Sequence, residues 1–176
     1  MRIEPATDLD VAEIAAIYAH HVIHGTASYE TVPPDATEIG ARLARVVRAG
    51  GPWLVARDAA GSVLGYAYAS QFRDRAAYRY ACENSIYVRA DCTGRGVGKA
   101  LLGALLDAAH DAGFRQMIAV IGGAEPASIA LHASCGFYHA GRLGSIGRKH
   151  GRWLDTVYMQ RPLGEGDTSA PPEEPE

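Results

Sequence analysis

The stretch ENSIYVRADCTGRGVGKALL, residues 83–102, passes from a strand-like run through three glycines on alternate positions into a leucine-striped helix. Gly94, Gly96 and Gly98 bare the main chain, with Arg95, Val97 and Lys99 interleaved. Bare amides, the unpaired donors of a first helical turn and the positive end of its dipole together make an anion site. One charge at a helix end gains only about 0.3–1 kcal/mol, so several N–H bonds and the Arg95 guanidinium are needed to hold a diphosphate. Two other phosphate loops do not fit. For a P-loop, Ala100 follows Gly98–Lys99 where a hydroxyl should hold magnesium, and Thr93 replaces the first glycine. The dinucleotide pattern read from Gly94 ends on Lys99, and read from Gly96 it ends on Leu101. An ordinary flexible loop before a helix is the alternative reading of the same glycines.

Metal chemistry is not expected. His20, His21 and His24 include an i, i+4 pair, but the glutamate of H-E-x-x-H is absent and no third ligand is evident. Cys82, Cys92 and Cys135 are odd in number and contain no C-x-x-C, which argues against a disulfide framework and a thiolate zinc site.

These residues must be positioned by elements that the sequence patterns mark. MRIEPAT reads as an edge strand. Asp8 or Asp10 can cap a helix to about His21, with Val11, Ile14, Ile17 and Tyr18 on one face. A Pro-containing loop follows. Asp35 or Thr37 opens a second helix, striped by Ile39, Leu43, Val46 and Val47 and stopped at Gly50–Gly51. Residues 52–72 read as strand, turn and strand, with the turn at Asp58–Gly61. After the polar loop RDRAAYR come a strand from Tyr80 to Val88, a helix from Gly96 to Ala112 and a buried strand, FRQMIAVIG. Pro126 opens a short helix to about Ser134, and two antiparallel strands close the domain. Seven strands and four helices predict a mixed α/β domain around one sheet.

The 176 residues suit one domain, here 1–163. The last thirteen residues hold five acids and no base, which leaves residues 1–163 at a net charge of +2. That tail, 164–176, is expected to be disordered. There is no general basic field for nucleic acid, and no apolar run approaches the roughly 20 residues that span a bilayer. The acidic N-terminus, with Glu4, Asp8, Asp10 and Glu13, is unlike a signal peptide, so a soluble, cytoplasmic protein is expected.

The glycine loop resembles the acyl-CoA loop, [QR]-x-x-G-x-[GA], of the GCN5-related N-acetyltransferase (GNAT) superfamily, with Asp91 at the Gln/Arg position. ENSIYV, VIGGAEPASIALHASCGF and GRKHGRWLDTVYMQ resemble more narrowly the phosphinothricin/methionine sulfoximine N-acetyltransferases, over about residues 1–162. The resemblance implies the GNAT fold, a twisted, mostly antiparallel sheet of about seven strands with four helices. It also implies acetyl-CoA as cosubstrate, a small-molecule amine as acceptor and a homodimer.

Transfer to an amine requires a neutral amine, a polarised thioester carbonyl and a protonated leaving thiolate. An α-amine of pKa ~8 is about 10% neutral at pH 7, a cost near 1.4 kcal/mol, against about 4.6 kcal/mol for a lysine amine. A weak base suffices for the first. Glu83, at the start of the strand leading to the loop, is the candidate, and the resemblance implies the same role. A solvated glutamate or half of an ion pair is the bland alternative. Backbone N–H groups along Ile86, Tyr87 and Val88 are candidate donors to the carbonyl, in a strand that the family usually distorts. The resemblance implies that Gly94–Lys99 hold the cofactor and that Glu125 and Ser128 contribute. Glu125 stands at the family's asparagine position, and His132 takes the place of its tyrosine acid. His132 could serve the thiolate or help deprotonate the amine, or it is simply a core histidine. Glu30, Phe72, Arg73, Arg75 and Tyr78 are implied at the acceptor site, where an arginine could fork onto a carboxylate. Lys149–Asp155 could cap the pocket, and Trp153 could equally be core. A non-catalytic acyl-CoA sensor and a transferase acting on a protein amine are the competing functions.

Overall fold

The computed structural model describes residues 1–171, 173 and 174. Strand β1 (Arg2–Pro5) leads into helices α1 (Val11–His24) and α2 (Ala36–Arg48), then β2 (Trp53–Arg57), β3 (Val63–Gln71) and β4 (Ala81–Val88). Helix α3 (Val97–Asp111), β5 (Gln116–Gly122), α4 (Pro126–Ser134), β6 (Tyr138–Lys149) and β7 (Arg152–Pro162) follow. The seven strands form one sheet in the order β1-β2-β3-β4-β5-β7-β6. Among the described residues only the β4–β5 pair is parallel. The mixed α/β class and the element order are those expected.

The helices divide between the two faces. Ile14, Ile17, Ile39, Leu43 and Val46 pack with Val55 and Tyr66 on one face. Leu101, Leu102, Leu105 and Leu106 pack with Ala67, Ala69, Cys82 and Met117 on the other. Alternation along each strand decides which face a residue serves.

Local signals needed some correction. Asp35 is the cap of α2, with Oδ1 accepting from Glu38 N–H at 2.8 Å. Asp10 caps nothing in α1. It is buried, accepts from the Thr7 amide at 2.8 Å and pairs with Arg57, because a buried carboxylate requires a cation. Helix α1 runs on to His24. Val47 is half exposed, since a 3.6-residue period places only Val46 inward. Residues 164–171 were expected to lack structure; 164–167 form turns and 168–169 bends under Arg115, which donates to the carbonyls of Gly166 and Ser169 at 3.2 and 2.8 Å. The same expectation at 172, 175 and 176 lies outside the described residues. No helix among the described residues is long and apolar enough to cross a membrane.

Candidate active site

Strands β4 and β5 pair only from Ala81↔Gln116 to Asn84↔Ala119 and then part. Past that point β4 continues on β3, and β5 continues on β7. The result is a slot through the sheet, enlarged into a cleft of about 450 Å³. The register of β3 against β4 is unbroken from Gln71↔Cys82 to Gly65↔Val88, so the strand distortion usual in the resembling family is absent. Divergence of β5 frees the donors instead. Phe72 N–H donates to Ala81 O and Arg89 N–H to Leu64 O, so the odd-numbered residues of β4 bond to β3. The amides of Ile86 and Val88 therefore face the slot beyond the last paired residue. The Val88 carbonyl agrees, since it accepts from His21 Nε2 at 2.8 Å rather than from β3. Tyr87 differs from its expected role. Its amide turns to β3, and only its side chain is left to line the cleft.

The glycine loop stands at the end of β4. Gly94 and Gly96 have φ of +72° and +79°, with nothing near either Cα where a side chain would go. Both keep the left-handed backbone and an open approach. Gly96 caps α3 without a side-chain bond. Among the described residues no loop or cap hydrogen bond takes an amide of 94–99; the first is Ala100 N–H to Gly96 O. Arg95 and Lys99 are exposed beside these free donors, and Val97 is buried as the helix anchor. Gly98 has another purpose, since a Cβ there would lie 3.3 Å from Leu131 and 3.7 Å from Val88. It lets α4 approach α3. The loop is thus a preformed anion cradle, and a diphosphate fits it.

Glu83 and His132 both line the cleft, from opposite faces of the sheet. Odd residues of β4 face α1 and α2, even ones face α3 and α4. Glu83 is half buried, and burial pushes its carboxyl above the ordinary range, while Arg73, with Nη1 at 3.8 Å, pulls it back. His132 is buried, and burial pushes its imidazole down against the raising effect of the Ser128 carbonyl. Ser128 lines the cleft beside it; Glu125 is the residue before α4 and does not.

The far wall is the α1–α2 connection. Ser28 and Glu30 line the cleft. Tyr18 donates to Glu30 Oε1 at 3.0 Å and meets Ser28 Oγ at 2.8 Å, and Arg42 pairs with Glu30 at 2.7 Å. Lys149 is buried and donates to the Ser28 carbonyl at 2.8 Å, so it braces this wall from behind. The Tyr29 ring fills the space left by Gly147 and Gly122, and its hydroxyl meets Thr156 Oγ1 at 2.7 Å. Phe72, Arg73, Arg75 and Tyr78 stand outside the cleft lining; Arg73 stacks on Phe72 at 4.0 Å and reaches the site through Glu83. Trp153 is 62% exposed and is not core.

This geometry can bind a diphosphate at 94–99, lead a chain along β4 into the slot, and present its end to a base. A model described as the acetyltransferase (GNAT) family matches residues 11–137. The chain belongs to the acetyltransferase (GNAT) family. This GNAT chain is 54% identical over 166 residues to a phosphinothricin N-acetyltransferase of Alcaligenes faecalis, covering 93% of this chain and 83% of that one. It is 42% identical to an L-methionine sulfoximine/L-methionine sulfone acetyltransferase of Pseudomonas aeruginosa, covering 86% and 88%. A crystal structure of a phosphinothricin acetyltransferase from Sinorhizobium meliloti in complex with AcCoA superposes with a TM-score of 0.96 at 49% identity, covering 98% and 93%.

Sequence reasoning missed Asn84 and Tyr18, which both line the cleft. Asn84 carried a readable signal. It is the polar member of an otherwise apolar series, Cys82, Ile86 and Val88, on one face of a strand. Tyr18 read only as part of the inward face of α1, and its contacts with Ser28 and Glu30 were not visible in the sequence.

Proposed function

We propose that this protein transfers the acetyl group of acetyl-CoA to the α-amine of a small amino acid or an analogue of the phosphinothricin or methionine sulfoximine type, by direct attack. The observation that carries this reading is the slot, with a carboxylate on one face and a row of free amides leading into the other. Acetyl-CoA supplies the activated acyl group. Residues 94–99 bind its diphosphate through main-chain donors, and the amides of Ile86 and Val88 donate to the thioester oxygen. Glu83 accepts a proton from the amine on the α1/α2 face, directly or through one water. The wall of Ser28, Glu30 and Tyr18 shapes the acceptor pocket, and Arg73, 3.8 Å from Glu83, is available to an acceptor carboxylate.

A thiol-release assay against methionine sulfoximine, phosphinothricin and the common amino acids tests the function. Turnover with at least one is expected. Binding of coenzyme A by calorimetry with no thiol release for any amine would instead mark a sensor. In the same calorimeter, Arg95→Glu is expected to weaken acetyl-CoA about tenfold, near 1.4 kcal/mol, by placing a carboxylate beside the diphosphate site.

The chain also acts as a homodimer in this reading. Strand β6 is an edge strand of 12 residues, nearly all exposed, with register breaks at His139/Gly141 and Leu143/Gly147. Leu143, Ile146 and Trp153 add exposed apolar area on the hairpin. An edge of this length and apolarity calls for a partner. Sedimentation is expected to give a dimer, and Ile146→Glu with Trp153→Glu a monomer; a monomeric wild type would remove the proposal.

A further inference from the structure

Both ring nitrogens of His132 are engaged inside the protein. Nδ1 lies 2.8 Å from the Ser128 carbonyl oxygen, one turn earlier in α4. A carbonyl only accepts, so Nδ1 carries the proton. Nε2 lies 3.1 Å from Asn84 Nδ2 and 3.4 Å from Asn84 Oδ1. A neutral ring protonated at Nδ1 has a lone pair at Nε2 and needs a donor there, and the nearer Asn84 NH2 supplies it. The same NH2 faces the Met117 sulfur at 3.6 Å. His132 is 2% exposed and Asn84 6%.

The surroundings favour the neutral ring. Phe137 meets it edge-on with centroids 5.0 Å apart. The titratable group on the same face of β4 is the Cys82 thiol, pushed up to about 12 by burial and therefore uncharged. The shift of His132 has burial and the Ser128 carbonyl as its causes, and no charged group among them. Glu83 lies on the opposite face of the strand.

We propose that Asn84 is a positioning residue for the transfer, which holds His132 as the Nδ1–H tautomer with Nε2 a proton acceptor at the α3/α4 side of the slot. The inference rests on the proposed acetyl transfer and refines it. In the resting state His132 has no proton to give from Nε2, so it does not start as the acid for the thiolate. Once Glu83 has taken the ammonium proton, the proton that the amine nitrogen sheds as the C–N bond forms can pass to Nε2; a half-turn of the Asn84 amide then brings Oδ1 to the ring, and the proton leaves on the thiolate as the C–S bond breaks. The carboxamide can serve either charge state, and a carboxylate or an alkyl group cannot.

Imidazole ¹⁵N NMR of the whole protein tests this without reference to activity. At pH 7 the wild type is expected to show a protonated Nδ1 and a bare Nε2. Asn84→Asp presents only acceptors, so the ring is expected to be protonated at both nitrogens at pH 7, with a midpoint at least one pH unit above that of the wild type. Its kcat is expected to fall at least tenfold, with the KM for acetyl-CoA changed less than twofold. Asn84→Ser, which can still donate, should restore the Nδ1–H tautomer and part of kcat. A melting curve checks that each variant folds. If Asn84→Asp does not fold, Asn84→Leu replaces it; there the Ser128 carbonyl still keeps the proton on Nδ1, and the bare Nε2 is expected to lose its hydrogen-bond shift, an unmoved Nε2 resonance overturning the proposal. A wild-type ring protonated at Nε2, or a titration midpoint unmoved by the substitution, overturns the proposal. Should no amine be acetylated, the NMR result still stands or falls alone.

Discussion

Replacing Glu83 by glutamine is expected to lower kcat/KM for the amine by about 10²- to 10⁴-fold, the usual range for loss of a general base. Glutamine keeps the size and polarity of the side chain, so the cleft and the β4 ladder should survive. What is lost is the lone pair that takes the amine proton. The demand on this base is modest, because an α-amine needs only about 1.4 kcal/mol to be neutral at pH 7. The wild-type pH profile should carry the signature of Glu83. Its carboxyl is raised by burial, chiefly, and only the carboxylate is a base. Activity should therefore be present above the raised pKa and fall as the pH drops through it. Arg73 opposes the shift from 3.8 Å, so Arg73→Ala should move that limb to higher pH, and Glu83→Gln should remove it. Acetyl-CoA affinity should be nearly unchanged in Glu83→Gln, since its binding groups lie on the loop and the slot amides. A pH–rate profile of Glu83→Gln retaining the wild-type limb and rate would assign the base elsewhere.

Gly122→Val should damage both stability and activity. A Cβ at Gly122 would stand 2.7 Å from the Ala27 carbonyl oxygen, 3.0 Å from that of Thr26 and 3.2 Å from the Tyr29 ring. Two of these neighbours are main chain and cannot rotate away. Overpacking of this kind costs about 1–3 kcal/mol. For a domain of this size that corresponds to a fall in Tm of roughly 2–12 °C, at 2–4 °C per kcal/mol. The relief must come from the α1–α2 connection, which carries Ser28 and Glu30 into the cleft. A displacement of about 1 Å in a positioning element can cost on the order of 10² in rate, so kcat/KM should fall much more than the loss of folded protein explains. Gly103→Ala provides the control. A Cβ there meets nothing within 4 Å in the middle of α3, and the change should be neutral or stabilise by up to about 1 kcal/mol. Differential scanning calorimetry with steady-state kinetics distinguishes the two variants. Equal behaviour of both would show that the wall is not set by the close approach at Gly122.

The glycine loop was legible because its information is local. Gly94 and Gly96 supply positive φ and bare amides within six residues of the helix that they serve. Gly98 in the same run looked alike and does something else, because the neighbour that requires it, Leu131, lies in another helix. His132 was legible as a helix residue facing inward. That its Nε2 lone pair meets Asn84 depends on two residues 48 positions apart.

By itself the sequence determined the helices and strands, their order, and the glycine run between β4 and α3. Hydrophobic period, turn residues and glycine conformations act over a few residues and do not wait for the rest of the chain. The tertiary structure alone decided that β7 is inserted between β5 and β6, that β5 leaves β4 after Asn84, and that Glu83 and His132 look into one slot from opposite faces. Those outcomes are set by contacts between distant segments. Alternation says that neighbours on a strand face apart; only packing says which face meets which helix.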